Sequence, residues 1–180
     1  MKTLIRAIVD TAALRQNLAR VRATAPASRV MAVVKANGYG HSVVPVAKAL
    51  AEADGFAVAR LDEGLALRAA GLVNRILLLE GVFSPDQLAI AVQQRFDLMV
   101  HTFEQLQLLE GRAGSEPLSA WLKVDSGMNR LGFRVEQFAE AYARLTRIVN
   151  VTPDPTLVTH LANADDRRDA KTQEQLRTFA

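Results

Sequence analysis

The chain contains no cysteine, which excludes a disulfide framework, a thiolate zinc site and a thiol nucleophile, and fits a reducing cytoplasm. Neither sign of charge dominates. The 22 basic and 19 acidic residues give +3, without a basic run, so nucleic acid is not an expected partner. No apolar run approaches the ~20 residues of a membrane-spanning helix, and no membrane association is expected. The N-terminus meets Lys2, Arg6 and Asp10 too soon to serve as a secretory signal. Glycine-rich phosphate loops are also missing: neither G-x-G-x-x-G nor a Walker sequence occurs. That weakens a dinucleotide-binding doubly wound sheet. Lysine is scarce too, five residues against seventeen arginines.

What remains is an ordinary globular balance, 49% apolar and 23% charged over 180 residues, enough for one sizeable core. Short apolar runs at 30–34, 56–59, 76–79, 98–100, 120–124 and 157–161 alternate with amphipathic stretches. Most runs are continuous, as parallel strands buried on both faces should be. Helical spacing marks 43–51, 61–70, 85–92, 103–109 and 135–148; Ser84 caps the third of these, with Pro85 at its first position. A lead strand at 7–9 and a helix over 12–24 precede them, with Asp10 as cap. Successive strands lie roughly 20 to 40 residues apart, which leaves room for helical crossovers. The expected fold class is α/β, an incomplete TIM-type barrel with about six of eight strand–helix units behind the lead strand and helix. Residues 1–180 would form a partial N-terminal barrel domain. A whole barrel takes ~250 residues, and 172–180 stops inside a helical pattern without a glycine cap. A fragment of a longer protein is therefore expected.

In such a barrel the reacting groups come from the carboxyl ends of the strands. Here the runs end on Lys35, Glu80, His101, Lys123 with Asp125, and His160. For Glu80 and His101 the simpler reading is a strand that reaches water. Lys35, held among Ala and Val, is placed where desolvation would disfavour its ammonium and yield an amine able to form a Schiff base with a carbonyl compound. The next residues, Ala36-Asn37-Gly38-Tyr39-Gly40-His41, suit a loop that wraps a ligand, or a plain turn. In Lys123-Val124-Asp125-Ser126-Gly127-Met128-Asn129-Arg130-Leu131-Gly132-Phe133, Arg130 could grip a carboxylate or a polarised oxygen. A structural Lys–Asp or Arg–Asp pair is the equal alternative. A buried Lys123 needs an acidic or negatively modified partner. His160 could lie flat against an aromatic ligand, or serve as a core histidine bonded to backbone.

Together these segments resemble the alanine racemase family, pyridoxal-phosphate enzymes that interconvert L- and D-alanine. Val33-Val34-Lys35-Ala36-Asn37-Gly38-Tyr39-Gly40-His41 looks like its cofactor-attachment motif, and Leu122 to Gly132 like its second signature. Asp54 to Ala59, Ile76 to Gly81 and Thr159-His160 add support in the same order. The resemblance implies that Lys35 holds pyridoxal 5'-phosphate covalently and moves the α-proton on the D-alanine side. It implies that Tyr39 bonds the cofactor phosphate and that His160 packs against the pyridine ring. Arg130 would lie by the phenolic oxygen and help bind the substrate carboxylate. Lys123 matches a lysine that is carbamylated in some relatives, which would give Arg130 a negative partner. Ser42 stands where a third glycine is frequent.

The resemblance further implies a cytoplasmic homodimer with shared active sites, acting in D-alanine supply for peptidoglycan or in alanine catabolism. In the family, the opposite-face tyrosine base belongs to a C-terminal β-domain, and the arginine facing the pyridine nitrogen to later strands. Neither has a matching position here; Tyr142, inside the 135–148 helix, is no substitute. The isolated chain is accordingly expected to be inactive. Two other readings remain: a non-catalytic pyridoxal-phosphate carrier, which Arg130 argues against, and a barrel-type amino-acid decarboxylase, which the residues around Tyr39 argue against.

Overall fold

The computed structural model describes residues 8–180, and its elements follow the apolar runs of the sequence closely. The first unit, up to Leu77, carries α1 (Thr11–Thr24), β1 (Met31–Val33), α2 (Lys35–Tyr39), α3 (Val43–Ala49), β2 (Gly55–Val58), α4 (Leu61–Ala69) and most of β3 (Arg75–Leu78). Asp10 caps α1, accepting from the N–H groups of Ala12 and Ala13 at 2.8 and 3.1 Å. β1 and β2 run parallel, with Met31 opposite Gly55 and Val33 opposite Ala57; β3 follows β2 in the sheet. Asp54 fastens the start of β1. It accepts from Val30 N–H at 2.8 Å and pairs with Arg22 of α1 at 3.2 Å. Phe56, Val58, Leu67 and Ile76 are fully buried and form the core of this unit. The lead strand expected at 7–9 begins on a residue outside the described ones, and Ile8 and Val9 belong to no strand.

The second unit, Leu78–Ala180, carries α5 (Pro85–Gln93), β4 (Asp97–Val100), α6 (Phe103–Glu110), β5 (Ala120–Lys123), α7 (Val135–Arg147), β6 (Thr156–Val158) and α8 (Lys171–Phe179). β4, β5 and β6 are parallel and adjacent in that order, with Leu98 opposite Ala120 and Leu122 opposite Leu157. Asp97 is buried within β4, where the Trp121 indole N–H donates to it at 2.8 Å; a hydrogen-bonded acid is a tolerable core residue. Phe96, Leu98, Leu106, Leu122 and Leu145 are buried around this sheet. β2 and β4 are covered along their whole length, as their continuous apolar runs imply. β1 and β6, each with a single strand neighbour among the described residues, are not.

A strand that gives way to a helix leaves backbone N–H groups without ladder partners, and such groups are costly when unpaired. One device answers this at four joints. Glu63 of α4 accepts from Ala59 and Arg60 N–H at 2.9 and 3.3 Å, and Gln87 of α5 from Phe83 N–H at 2.9 Å. Gln105 of α6 accepts from His101 N–H at 2.9 Å, and Gln137 of α7 from Arg134 N–H at 3.1 Å. Each side chain sits at the third helical position and reaches back, one half of a capping box. Ser84 and Thr102 supply the other half by accepting from the N–H groups of Gln87 and Gln105. Among the described residues no helix is long and apolar enough to cross a membrane.

Leu67 has no exposed surface, whereas the nearby Val73 is 91% exposed. Leu67→Ala should therefore cost about 2–5 kcal/mol, and Val73→Ala less than about 0.5 kcal/mol. Urea denaturation with an unchanged m-value would check both.

Candidate active site

Lys35 lies two residues past the end of β1 and is half-buried. The sequence placed it in a strand run; in fact the ladder ends at Val33 and Lys35 opens α2, so its backbone has left the sheet. α2 is a left-handed turn, with φ/ψ of 53/49° at Ala36, 54/46° at Asn37 and 64/39° at Gly38, and positive φ continuing through Tyr39 and Gly40. Each L-residue other than glycine pays for this hand, so neighbouring bonds must hold it. Asn37 N–H donates to Glu63 Oε1 at 3.1 Å, and Asn37 Oδ1 accepts from Val43 N–H at 2.9 Å. Gly38 N–H returns to the Val34 carbonyl at 2.9 Å. A Cβ on Gly38 would stand 3.3 Å from both Val43 and Val46, so a larger residue would be strained by its φ of +64° and would have to push those neighbours back by a few tenths of an ångström. The turn holds the Tyr39 side chain 59% exposed.

The second cluster is built at the end of β5. Lys123, its last residue, is buried. Burial holds the Lys123 ammonium below the usual lysine range, the Arg130 guanidinium adds to that, and Asp125 opposes it. The turn beyond is pinned at both ends: Phe133 N–H donates to the Lys123 carbonyl at 2.9 Å, and Asp125 N–H to the Phe133 carbonyl at 2.8 Å. Gly132 makes that closure possible, since with φ +129° a Cβ would lie 2.7 Å from the Asp125 nitrogen. Asp125 Oδ1 accepts from Gly127 and Asn129 N–H, both at 3.0 Å. Burial pushes the Asp125 carboxyl up, but bonds from Asn129, Gly127 and Met128 N–H prevail, and it stays below the ordinary aspartate range. The structure thus brings Lys123, Asp125 and Arg130 into one electrostatic cluster. Arg130 is exposed. His160 lies two residues past β6, also exposed, and its carbonyl accepts from Gln175 Nε2 at 2.9 Å.

For Glu80, half-exposed, a strand reaching water describes the position well. It does not describe His101, which is only 6% exposed. His101 Nε2 lies 3.1 Å from the Glu80 carbonyl, which puts the proton on Nε2, and buried Nδ1 has no hydrogen-bond partner. Burial lowers the His101 pKa; the Glu80 carbonyl opposes this and the nearby Lys123 charge reinforces it. A cleft of about 780 Å³ lined by Leu88, Val92, Leu108 and Arg112 among others includes no residue of either signature. The hollow at Asp125, Ser126, Asn129 and Arg134, about 240 Å³, borders the second one. Sequence reasoning missed the supporting residues Glu63, Gln105 and Gln175. The first two had a signal, an acidic or amide residue at the third helical position, whereas a glutamine inside a polar helical pattern gives none.

The family model described as "Alanine racemase, N-terminal domain" matches residues 9–180. The chain belongs to the alanine racemase N-terminal domain family. An alanine racemase of Shewanella baltica (strain OS185) is 51% identical over 179 residues, which is 99% of this chain and 50% of that protein. One from Shewanella woodyi is 49% identical over the same share of each. The crystal structure of biosynthetic alanine racemase from Pseudomonas aeruginosa matches with a TM-score of 0.89 at 43% identity, covering 94% of this chain and 48% of that one. Alanine racemase from Bacillus anthracis with bound L-Ala-P matches at 0.83 and 32%, covering 95% and 45%. The chain spans about half the length of the relatives it matches. Its fold class is the α/β, incomplete TIM-type barrel of the racemase N-terminal domain. Alanine racemases as a family use pyridoxal phosphate.

Two outcomes follow from these local structures. Asn37→Ala removes the acceptor for Val43 N–H and a residue tolerant of the left-handed region, and should cost about 1–3 kcal/mol in chemical denaturation. The native pKa of His101 lies below that of the unfolded chain, so the unfolded state binds the extra proton first. Stability should therefore fall as pH drops below the ~6.5 of an unperturbed histidine, and His101→Gln should flatten that fall in denaturation measured across it.

Proposed function

We propose that this chain is the cofactor-holding part of a pyridoxal-phosphate-dependent alanine racemase, an isomerase that interconverts L- and D-alanine. The observation that carries the reading is Lys35: a half-buried primary amine set immediately before a left-handed turn that Glu63 and Asn37 hold in place. The donor set fits the cofactor chemically. It offers an amine for an aldehyde at Lys35, a phenol for a phosphate at Tyr39, a guanidinium for a phenolic oxygen at Arg130, and an imidazole face for a pyridine ring at His160.

When bound, pyridoxal phosphate would supply the electron sink that acidifies the Cα–H of alanine. Lys35 would anchor it and then carry the α-proton on the D-alanine side. Tyr39 would bond the phosphate from the exposed end of the turn. Arg130 would take the substrate carboxylate as well as the phenolic oxygen. Lys123, whose amine burial keeps closer to neutral, would be open to carbamylation; the carbamate would then be an anion for the Arg130 guanidinium to pair with, against the cost of burying it. The base on the opposite face would come from residues outside these 180, contributed across a homodimer. A cytoplasmic setting and a role in D-alanine supply or alanine breakdown complete the reading.

Borohydride reduction in the presence of pyridoxal phosphate, followed by peptide mass spectrometry, should label Lys35. Lys35→Ala should abolish the label. Labelling at another lysine of the wild type would refute the assignment. In the complete protein a coupled D-amino-acid oxidase assay should detect L-to-D conversion of alanine; binding without conversion would favour a carrier, and carbon dioxide release a decarboxylase.

A further inference from the structure

α8 is an amphipathic helix whose one buried residue is a glutamine, Gln175, with no exposed surface. A leucine or methionine would fill that space without desolvating a carboxamide. The account lies in what the carboxamide holds. Its Oε1 accepts from Ala162 N–H at 2.8 Å. Its Nε2 donates to the His160 carbonyl at 2.9 Å and to Ser126 Oγ at 3.2 Å. Both amide protons are thereby used, so the buried group is satisfied. Beyond Ser126 the bonds continue in one direction. The Ser126 hydroxyl lies 2.7 Å from Thr159 Oγ1, and Thr159 Oγ1 donates to the Val124 carbonyl at 2.9 Å. With Nε2 as the first donor, Ser126 donates to Thr159 and every acceptor is filled.

One side chain therefore ties the backbone on both sides of Leu161 to the turn that begins at Asp125. We infer that Gln175 is a positioning residue: its carboxamide sets the Ser126 turn and the His160 backbone, and through them the placement of Arg130 and His160 toward the cofactor. This rests on the racemase reading of those two residues. A carboxylate at 175 could not replace it, because it would face the His160 carbonyl with no proton to give.

Gln175→Met keeps the volume and removes all three bonds; Gln175→Glu keeps the acceptor alone. In the complete protein, both should retain native circular dichroism while weakening pyridoxal phosphate binding by about tenfold or more, read by titrating the apoprotein. The pH midpoint of the bound cofactor's absorption, which reports a guanidinium beside the phenolic oxygen, should shift. The Ala162 amide should exchange faster. A merely structural glutamine would alter stability and leave that midpoint in place. If Gln175→Met does not fold, Ser126→Ala breaks one link of the same chain and should move the same readouts by less. Folded variants with wild-type cofactor affinity and an unmoved midpoint would overturn the inference. Failure of the wild type to label at Lys35 would instead remove the racemase reading and this inference with it; an altered Ala162 exchange rate would not rescue either.

Discussion

The constraint on which both units depend is that a backbone N–H leaving a strand must still find an acceptor. Water could serve at an exposed joint, but the joints after β2 and β4 are flanked by buried residues. Here the acceptors are side chains of the helix that follows, reaching back one turn: Glu63, Gln87, Gln105 and Gln137. Glu63 shows what this adds beyond capping. One carboxylate oxygen serves Ala59 and Arg60, while the other accepts from Asn37 in the turn after Lys35. Gln105 likewise accepts from His101 N–H and donates to the Glu80 carbonyl at 2.8 Å. A group that first settles a local account thus fixes a neighbouring strand end.

The two signature segments solve opposite problems. After β1 the chain makes a short, strained left-handed turn, and the strain is carried by bonds from Asn37 and Glu63. After β5 it must hold a wide turn shut, and does so with paired backbone bonds between Phe133 and the ends of Lys123 and Asp125. The first solution restricts backbone hand; the second restricts side-chain size, at Gly132.

Much of the frame was legible in the sequence because continuous Val-, Ile- and Leu-rich runs separated by helical spacing leave few alternatives. The helices expected at 61–70 and 85–92 agree with α4 and α5 to within one residue at either end. What escaped was local and polar. Ala36 carries no preference for a left-handed backbone, so only Asn37 and the two glycines hinted at the turn. His101 reads as a strand reaching water because a buried imidazole and an exposed one look alike in sequence; only the Glu80 carbonyl reveals the difference. The curtailed ends of β1 and β6 followed the same logic. Val34 and Thr159 are apolar or β-branched enough to extend a strand, yet the strands stop short of them: the Val34 N–H still bonds the Ala57 carbonyl of β2, while its own carbonyl already accepts from Gly38 N–H in the turn.

From Ala36 to Gly40 five successive residues keep positive φ, the hand natural to D-peptides rather than to this chain. A side chain branched at Cβ meets its own backbone in that region more severely than any other. The segment can therefore vary in what its side chains carry at their tips, but valine, isoleucine and threonine are closed to it throughout. Its repertoire is set by stereochemistry before any demand of catalysis is considered.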